Sequence, residues 1–257
     1  MLSLIPLPGI PIVRPGDDLA ALIVESLAHA GQGGGGLALS DDDILVVTQK
    51  IVSKAEDRFV DLGTVQPSAR ALELATRTHK DARVVEVMLW DSDEVVRVGP
   101  RVIIVRHRLG FVCANAGVDA SNVAETDSDR VLRLPADPDL SARQLRARLQ
   151  GLTGAAPAVI ISDSHGRPWR EGTVGVAIGL AGLAPVEDLR GQPDLFGRRL
   201  QITLVGFADQ VAAAASLASG QADEGLPVVL VRGLPYERSR EASARDLVRP
   251  PESDLFR

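Results

Sequence analysis

Cysteine occurs once in this chain, lysine three times, and no apolar run is long. A lone cysteine, Cys113, excludes a disulfide framework and a cysteine metal cluster. No stretch reaches the roughly 18 uninterrupted apolar residues of a membrane-spanning helix. The amino terminus has neither the basic region nor the long apolar core of a secretory leader. A cytoplasmic protein is therefore expected. An excess of positive charge is missing as well. The formal charge of −6 argues against general nucleic-acid binding, which needs a net basic face, although a local basic pocket for phosphate remains compatible. What is present, 45% hydrophobic and 24% charged residues over 257 positions, is the composition of a globular protein with ample material for a buried core. No internal repeat is found.

The chain is organised around residues 110–122, where an apolar run (Phe111 to Ala114) breaks into a loop carrying Asn115, Asp119, Ser121 and Asn122. Residues 158–164 repeat the plan, with an apolar strand running into Asp163 and Ser164. Two carboxylates at the mouths of two buried strands are equipped to share a hard cation, because Mg²⁺ and Mn²⁺ favour oxygen ligands. They are equally compatible with two ordinary turn aspartates.

Of 28 basic residues only Lys50, Lys54 and Lys80 are lysine, and two of these lie four apart in Gln49-Lys50-Ile51-Val52-Ser53-Lys54-Ala55-Glu56. As strand or as helix, that spacing puts both ammonium groups on one face. A polyphosphate would satisfy them, and so would neighbouring carboxylates on a solvated surface. The glycine run at 31–36 is not followed by Lys-Ser or Lys-Thr, so it is no phosphate loop and reads as a linker.

The remaining elements follow from pattern. Residues 4–13 are expected as an edge strand or extended loop, 19–30 as an amphipathic helix and 44–48 as a strand. A helix is expected over 67–80, then short strands near 83–87, 94–98, 101–107 and 110–114, giving an antiparallel or mixed sheet. The segment 123–139 reads as loop, Ser141 as the cap of a helix over 142–152, and 158–162 as a strand. Gly175, Gly179 and Gly182 lack dinucleotide-fingerprint spacing and read as points of close packing. Strand 199–206, helix 207–219, buried strand 227–231 and a charged surface tail from Leu234 complete the chain. His79 and His107 read as structural or exposed. Ser162-Asp163-Ser164-His165 is too contiguous for a hydrolase triad and lacks a nucleophile elbow. Arg167 and Arg170 read as forks for a substrate carboxylate or phosphate, or as surface arginines. His165 is a candidate base.

Six stretches in order resemble the coenzyme F420-0:γ-glutamyl ligase family: Leu7-Pro8-Gly9-Ile10, the Gln49–Glu56 run, Asn115-Ala116-Gly117-Val118-Asp119-Ala120-Ser121-Asn122, Ser162 to Arg170, Val174 to Gly179, and Leu226 to Gly233. The resemblance implies an α+β fold with mixed or antiparallel sheets, packed helices and an intertwined homodimer. It also implies GTP-dependent addition of L-glutamate to coenzyme F420-0 with Mg²⁺ or Mn²⁺, and K⁺ as a further candidate cation. By position it makes Asp119 and Asp163 ligands of a first metal and Ser164 of a second. Lys54 completes the catalytic candidates together with His165, which enters as a base for the amine step and not from the resemblance. Leu7, Pro8, Gly9, Ile10, Gln49, Lys50, Lys54 and Asn122 correspond to GTP contacts. The loop Ser219, Gly220, Gln221, Ala222, Asp223, Glu224, Gly225 and Leu226 would wrap the nucleotide, with Gln221 as a metal ligand. The chain departs from the family at Ser219-Gly220-Gln221, where Met-Gly is common, and at Asp57, where glycine is common. Some relatives carry a further nitroreductase-like domain; residues 1–257 are expected to form a single ligase domain without one. Another amide ligase with a different acceptor, or a nucleotide-binding protein without turnover, are the competing readings.

Overall fold

The computed structural model describes residues 1–30, 36–121 and 129–254. Its centre is a five-stranded mixed sheet of β1 (Ser3–Pro6), β2 (Ile44–Thr48), β8 (Ala158–Arg167), β9 (Arg170–Ala181) and β12 (Val228–Arg232), in the order β1-β12-β2-β8-β9. The β2–β8 pair is parallel and the other pairs are antiparallel. The unbroken apolar runs of β2 and β8 follow from burial on both sides. Leu45, Val47, Val159, Ile161, Val228 and Leu230 pack on one face against α1 (Leu19–His29) and α5 (Pro138–Thr153). Ile44, Val46, Ile160, Val229 and Val231 pack on the other against α6 (Phe207–Ser219). Close approach is required here: a Cβ on Gly175 would collide with the Ala212 carbonyl of α6, and one on Gly179 with Pro138 of α5. The packing role expected of these glycines holds.

A second layer pairs the antiparallel sheet β4 (Ser92–Gly99), β5 (Val102–His107) and β6 (Val112–Ala114) with α3 (Ala69–Thr78) and α4 (Ala82–Trp90) around Leu74, Val85, Met88, Ile103 and Val105. Two small ladders remain, β3 (Phe59–Asp61) with β7 (Arg130–Leu132) and β10 (Glu187–Asp188) with β11 (Leu204–Val205). The α+β class with mixed and antiparallel sheets is as expected.

Several local expectations are corrected. Residues 83–87 are helix, not strand: Asp81 accepts the Arg83 amide at 2.8 Å as N-cap, and burial of Val85 and Met88 one turn apart outweighs the β-branched preference of Val84-Val85. The 199–206 strand contracts to Leu204–Val205. The 123–139 loop contains β7 and the first turn of α5, whose cap is Asp137 rather than Ser141. Ser141 lies inside the helix and donates to Glu56. β8 continues past Ser162 to Arg167, so Asp163 and Ser164 lie within a strand and not at its mouth. The segment after Leu234 is irregular as expected yet packed: Ala244 is buried, and the Tyr236 hydroxyl donates to the Asp41 carbonyl at 2.9 Å. The glycine run at 31–35 and Asn122 lie outside the described residues.

Candidate active site

The parallel pairing of β2 with β8 sets up the site. Thr48, the last residue of β2, is in register with Ser162, so α2 (Gln49–Ala55) starts beside Asp163. In this helix Lys50 and Lys54 share a face, as either geometry predicted. Lys50 Nζ lies 2.8 Å from Asp119 Oδ2 and donates to Ser121 Oγ at 3.0 Å. Burial and then the like charge of Lys50 lower the Lys54 pKa, against the opposing pull of Asp119. Gln49 is buried and accepts from Ser53 Oγ at 2.9 Å, so its side-chain carbonyl is engaged within the helix.

Asp119 reaches this helix through a strained turn. Asn115, Ala116 and Gly117 all have positive φ (55°, 53° and 64°), a conformation costing roughly 1–2 kcal/mol for each non-glycine residue. Burial of Ala116 and acceptance of the Ile103 amide by Asn115 Oδ1 hold the turn. Asp119 and Leu132 then exchange backbone hydrogen bonds at 2.9 and 2.8 Å, fixing the carboxylate's origin. Its Oδ1 accepts from both the amide and the hydroxyl of Ser121.

On β8, a register shift against β9 between Ile161 and Ser162 precedes the polar run. Bulges re-aim side chains at such positions. Alternation then puts Asp163 and His165 on one face and Ser164 on the other. His165 Nε2 lies 3.1 Å from Asp163 Oδ2, and the His165 ring meets Phe111 with centroids 5.1 Å apart. Phe111 also stacks on His107 at 5.2 Å. Ser164 Oγ donates to Gln221 Oε1 at 2.7 Å, which brings the 219–226 loop onto β8. In that loop Glu224 turns inward and accepts the Ala222 amide at 2.8 Å.

The remaining expected residues are less close. Leu7 is fully buried in the core, while Pro8 accepts from Ser26 Oγ at 2.5 Å and Gly9 is exposed. Ile10 packs partly on the same cluster. Arg167 and Arg170 oppose each other at the tip of the β8–β9 hairpin, four or more residues from Asp163, or about 13 Å along a strand. Arg167 Nη2 donates to the Glu171 carbonyl at 3.1 Å. Three neighbours escaped the sequence reading. Asp209, in the first turn of α6, is half-buried, accepts the Ala177 amide at 2.9 Å, and has a pKa raised by partial burial. Cys113 is a buried thiol pushed up to about 12 by burial and then by Asp163. Phe111 sat unmarked in an apolar run. No spacing signal could have linked these three to β8.

Among the described residues no three His, Cys, Asp or Glu side chains cluster in metal-binding geometry. The donors present, Asp119, Asp163, Ser164 and Gln221, are all oxygens, which is the chemistry of a hard divalent cation. Asp119 already holds a positive charge, the Lys50 ammonium. The donor set fits Mg²⁺ or Mn²⁺.

Residues 9–233 match the family described as F420-0:Gamma-glutamyl ligase. The chain belongs to this family. It is 49% identical over 257 residues to the coenzyme F420:L-glutamate ligase of Methanothermobacter thermautotrophicus, covering 100% of this chain and 99% of that protein. The enzyme of the same name from Methanopyrus kandleri is 50% identical over 248 residues, 95% of this chain and 93% of its own. That from Methanocaldococcus jannaschii is 45% identical over 221 residues, 85% and 86% of the two chains. Membership makes the chain an enzyme, a ligase forming C–N bonds. The residues described above from Gly9 to Gln221 all fall inside the matched range. No helix among the described residues is long and apolar enough to cross a membrane.

Proposed function

We propose that this chain is a cytoplasmic, GTP-dependent ligase that joins L-glutamate to coenzyme F420-0 through a γ-glutamyl-type amide bond, giving F420-1 and longer forms, GDP and phosphate. The observation that carries the reading is the Lys50–Asp119 pair with Lys54 beside it, next to Asp163 and His165, within a chain of this family. Forming an amide from a carboxylate requires an activated acyl group. An acceptor carboxylate oxygen attacks the γ-phosphorus of GTP, GDP leaves, and an acyl phosphate results. The glutamate amine then attacks the acyl carbon, phosphate departs and the amine loses a proton.

Each part has a candidate role here. Lys50 and Lys54 meet the phosphates, since phosphoryl transfer depends on positioning and charge neutralisation. Asp119 and Asp163 would hold one divalent cation, and Ser164 with Gln221 a second; bound there, such ions neutralise developing charge on phosphate. K⁺ is a further candidate. His165, held against Asp163, is the candidate to take the amine proton. Pro8, Gly9, Ile10 and the 219–226 loop line the nucleotide, and closure of that loop would exclude water from the acyl phosphate.

A homodimer is part of the proposal, with residues 1–257 acting as one ligase domain. The β10–β11 excursion supports it, since Leu195 and Phe196 are 98% and 94% exposed and Ile202 87%. Apolar groups presented together on an arm mark an interface.

The test is mass spectrometry of F420-0 incubated with the protein, GTP, Mn²⁺ and glutamate. A gain of one or more glutamyl residues with matching GDP is expected. GDP without glutamylation would make the acceptor wrong, and neither product from folded, GTP-binding protein would leave a non-catalytic binder.

A further inference from the structure

Two cavities lie away from the Asp119–Asp163 cluster and share one lining residue, Arg143 of α5. The first, about 470 Å³, is lined by Arg108, Phe111, Asp137, Asp139, Arg143 and Arg245 among others. The second, about 580 Å³, adds Arg146, Arg238 and Arg240. Arg143 and Arg146 are three apart on the helix and so lie on one side of it.

The acidic groups in both cavities are already committed. Asp137 caps α5 through the Leu140 amide at 2.9 Å. Asp139 accepts the amides of Leu180 and Ala244 and the hydroxyl of Ser243. Asp41 accepts the Ala156 amide at 2.7 Å. The guanidiniums are in excess. Arg108 is anchored on Asp91, which also serves Arg133, and Arg238 on Asp42. Among the described residues Arg146 donates to the carbonyls of Pro157 and Ala156 and meets no carboxylate. Arg143, Arg240 and Arg245 have no carboxylate partner among the described residues. Guanidinium forks in excess over carboxylates are equipment for anionic oxygens.

Position gives the cavities a purpose. Phe111 lines the first one, and its ring also meets His165, which holds Asp163. One aromatic ring therefore separates the arginine-lined space from the proposed reaction centre.

We propose that the two cavities form one track for a chain of carboxylates, namely the γ-glutamyl tail of an acceptor, with Arg143 at the junction. The identity of the tail rests on the function proposed above; the binding itself does not. A tail whose terminal carboxyl is at the reaction centre must lead away from it, and carboxylates recurring along a flexible chain match guanidiniums spread over two joined cavities.

The test uses a fluorescent tri-γ-glutamate peptide and polarisation at low ionic strength, where exposed charge pairs are least screened. Wild type should bind. Arg143→Ala should weaken binding about tenfold, the scale of one charge-assisted contact, and Arg143→Ala with Arg240→Ala should weaken it further. Arg143→Lys should recover part of the loss, and GTP affinity should not change. Arg143 is exposed on its helix, so circular dichroism of the variants should match wild type. No binding by wild type, or Arg143→Ala within twofold of it, overturns the track. If no glutamylation occurs yet binding depends on Arg143, the proposed function fails and the track stands. If glutamylation proceeds without peptide binding, the track alone fails.

Discussion

Two carboxylate–cation clusters in this protein have similar composition and different architecture. Asp91, with a side chain only 2% exposed, accepts Arg133 Nε and Nη2 at 2.8 and 2.7 Å and Arg108 Nε at 2.7 Å. Burial pushes its carboxyl up, yet hydrogen bonds and charge from Arg133 and then Arg108 leave it below the usual range. Asp119 and Asp163 are 26% and 16% exposed, and each meets a single basic group, an ammonium and an imidazole. A carboxylate filled by two rigid guanidiniums has no valence left and serves as a joint between β4, β5 and the segment after β7. A carboxylate met by one flexible ammonium can exchange that partner for a ligand. Saturation, not charge, separates structure from chemistry here.

The sharpest way to break this contrast is to neutralise one carboxylate in each cluster. Asp163→Asn should lower turnover by about a thousandfold, the scale of about 4 kcal/mol of transition-state stabilisation, with unfolding free energy within about 1 kcal/mol of wild type. Asp91→Asn should do the reverse. Leaving two guanidiniums without a buried counter-charge should cost about 3–5 kcal/mol of stability, while kcat of the folded fraction stays near wild type. Urea unfolding and steady-state kinetics on both variants decide the matter. A folded Asp91→Asn enzyme without activity would erase the distinction.

A smaller effect comes from His107, which stacks between the two clusters. Burial, partly offset by Asp91, pushes its pKa down to about 4 from an ordinary 6.5. The ring is therefore neutral in the fold and accepts the Leu109 amide on Nδ1 at 3.0 Å. As pH falls from 6.5 to 4 the unfolded chain takes up a proton that the folded chain refuses, so stability drops over that window by up to roughly 3 kcal/mol and is unaffected above it. His107→Gln should be less stable at pH 7 but lose less between pH 7 and 4.5, as measured by urea unfolding at both values.

The central strands, buried on both sides, and the helices packed on them were legible because periodicity reports burial directly: β2 at 44–48 and α6 at 207–219 fall where expected. The α4 error has a physical source, since Val84-Val85 has the local character of a strand and only packing on α3 and β4 makes it helix. For the site, the Lys50–Lys54 face and the two aspartates were visible as residue types at meaningful spacing. Their assembly was not. It depends on the register Thr48↔Ser162 and on the Asn115–Gly117 turn, both set by tertiary structure. Asp209, Phe111 and the cavities along α5 come from segments far apart in the chain, so no local pattern could announce them.

The smallest expected effect sharpens the contrast from the cation side. Lys54 is lowered by burial and by Lys50, and the Asp119 charge only partly restores it. Entry of a polyphosphate between the two lysines would add negative charge next to Lys54 and raise its pKa. At a pH between the lowered free value and the raised bound value, GTP binding should therefore take up a fraction of one proton, and affinity should weaken as pH rises through that interval. The arginines around Asp91 are held on that carboxylate and do not meet the nucleotide in this proposal. Calorimetric titration of GTP in two buffers of different ionisation enthalpy measures the uptake. Lys54→Ala should abolish it, and Arg108→Ala should leave it unchanged. Equal uptake in wild type and Lys54→Ala would place the titrating group elsewhere and remove Lys54 from the nucleotide site.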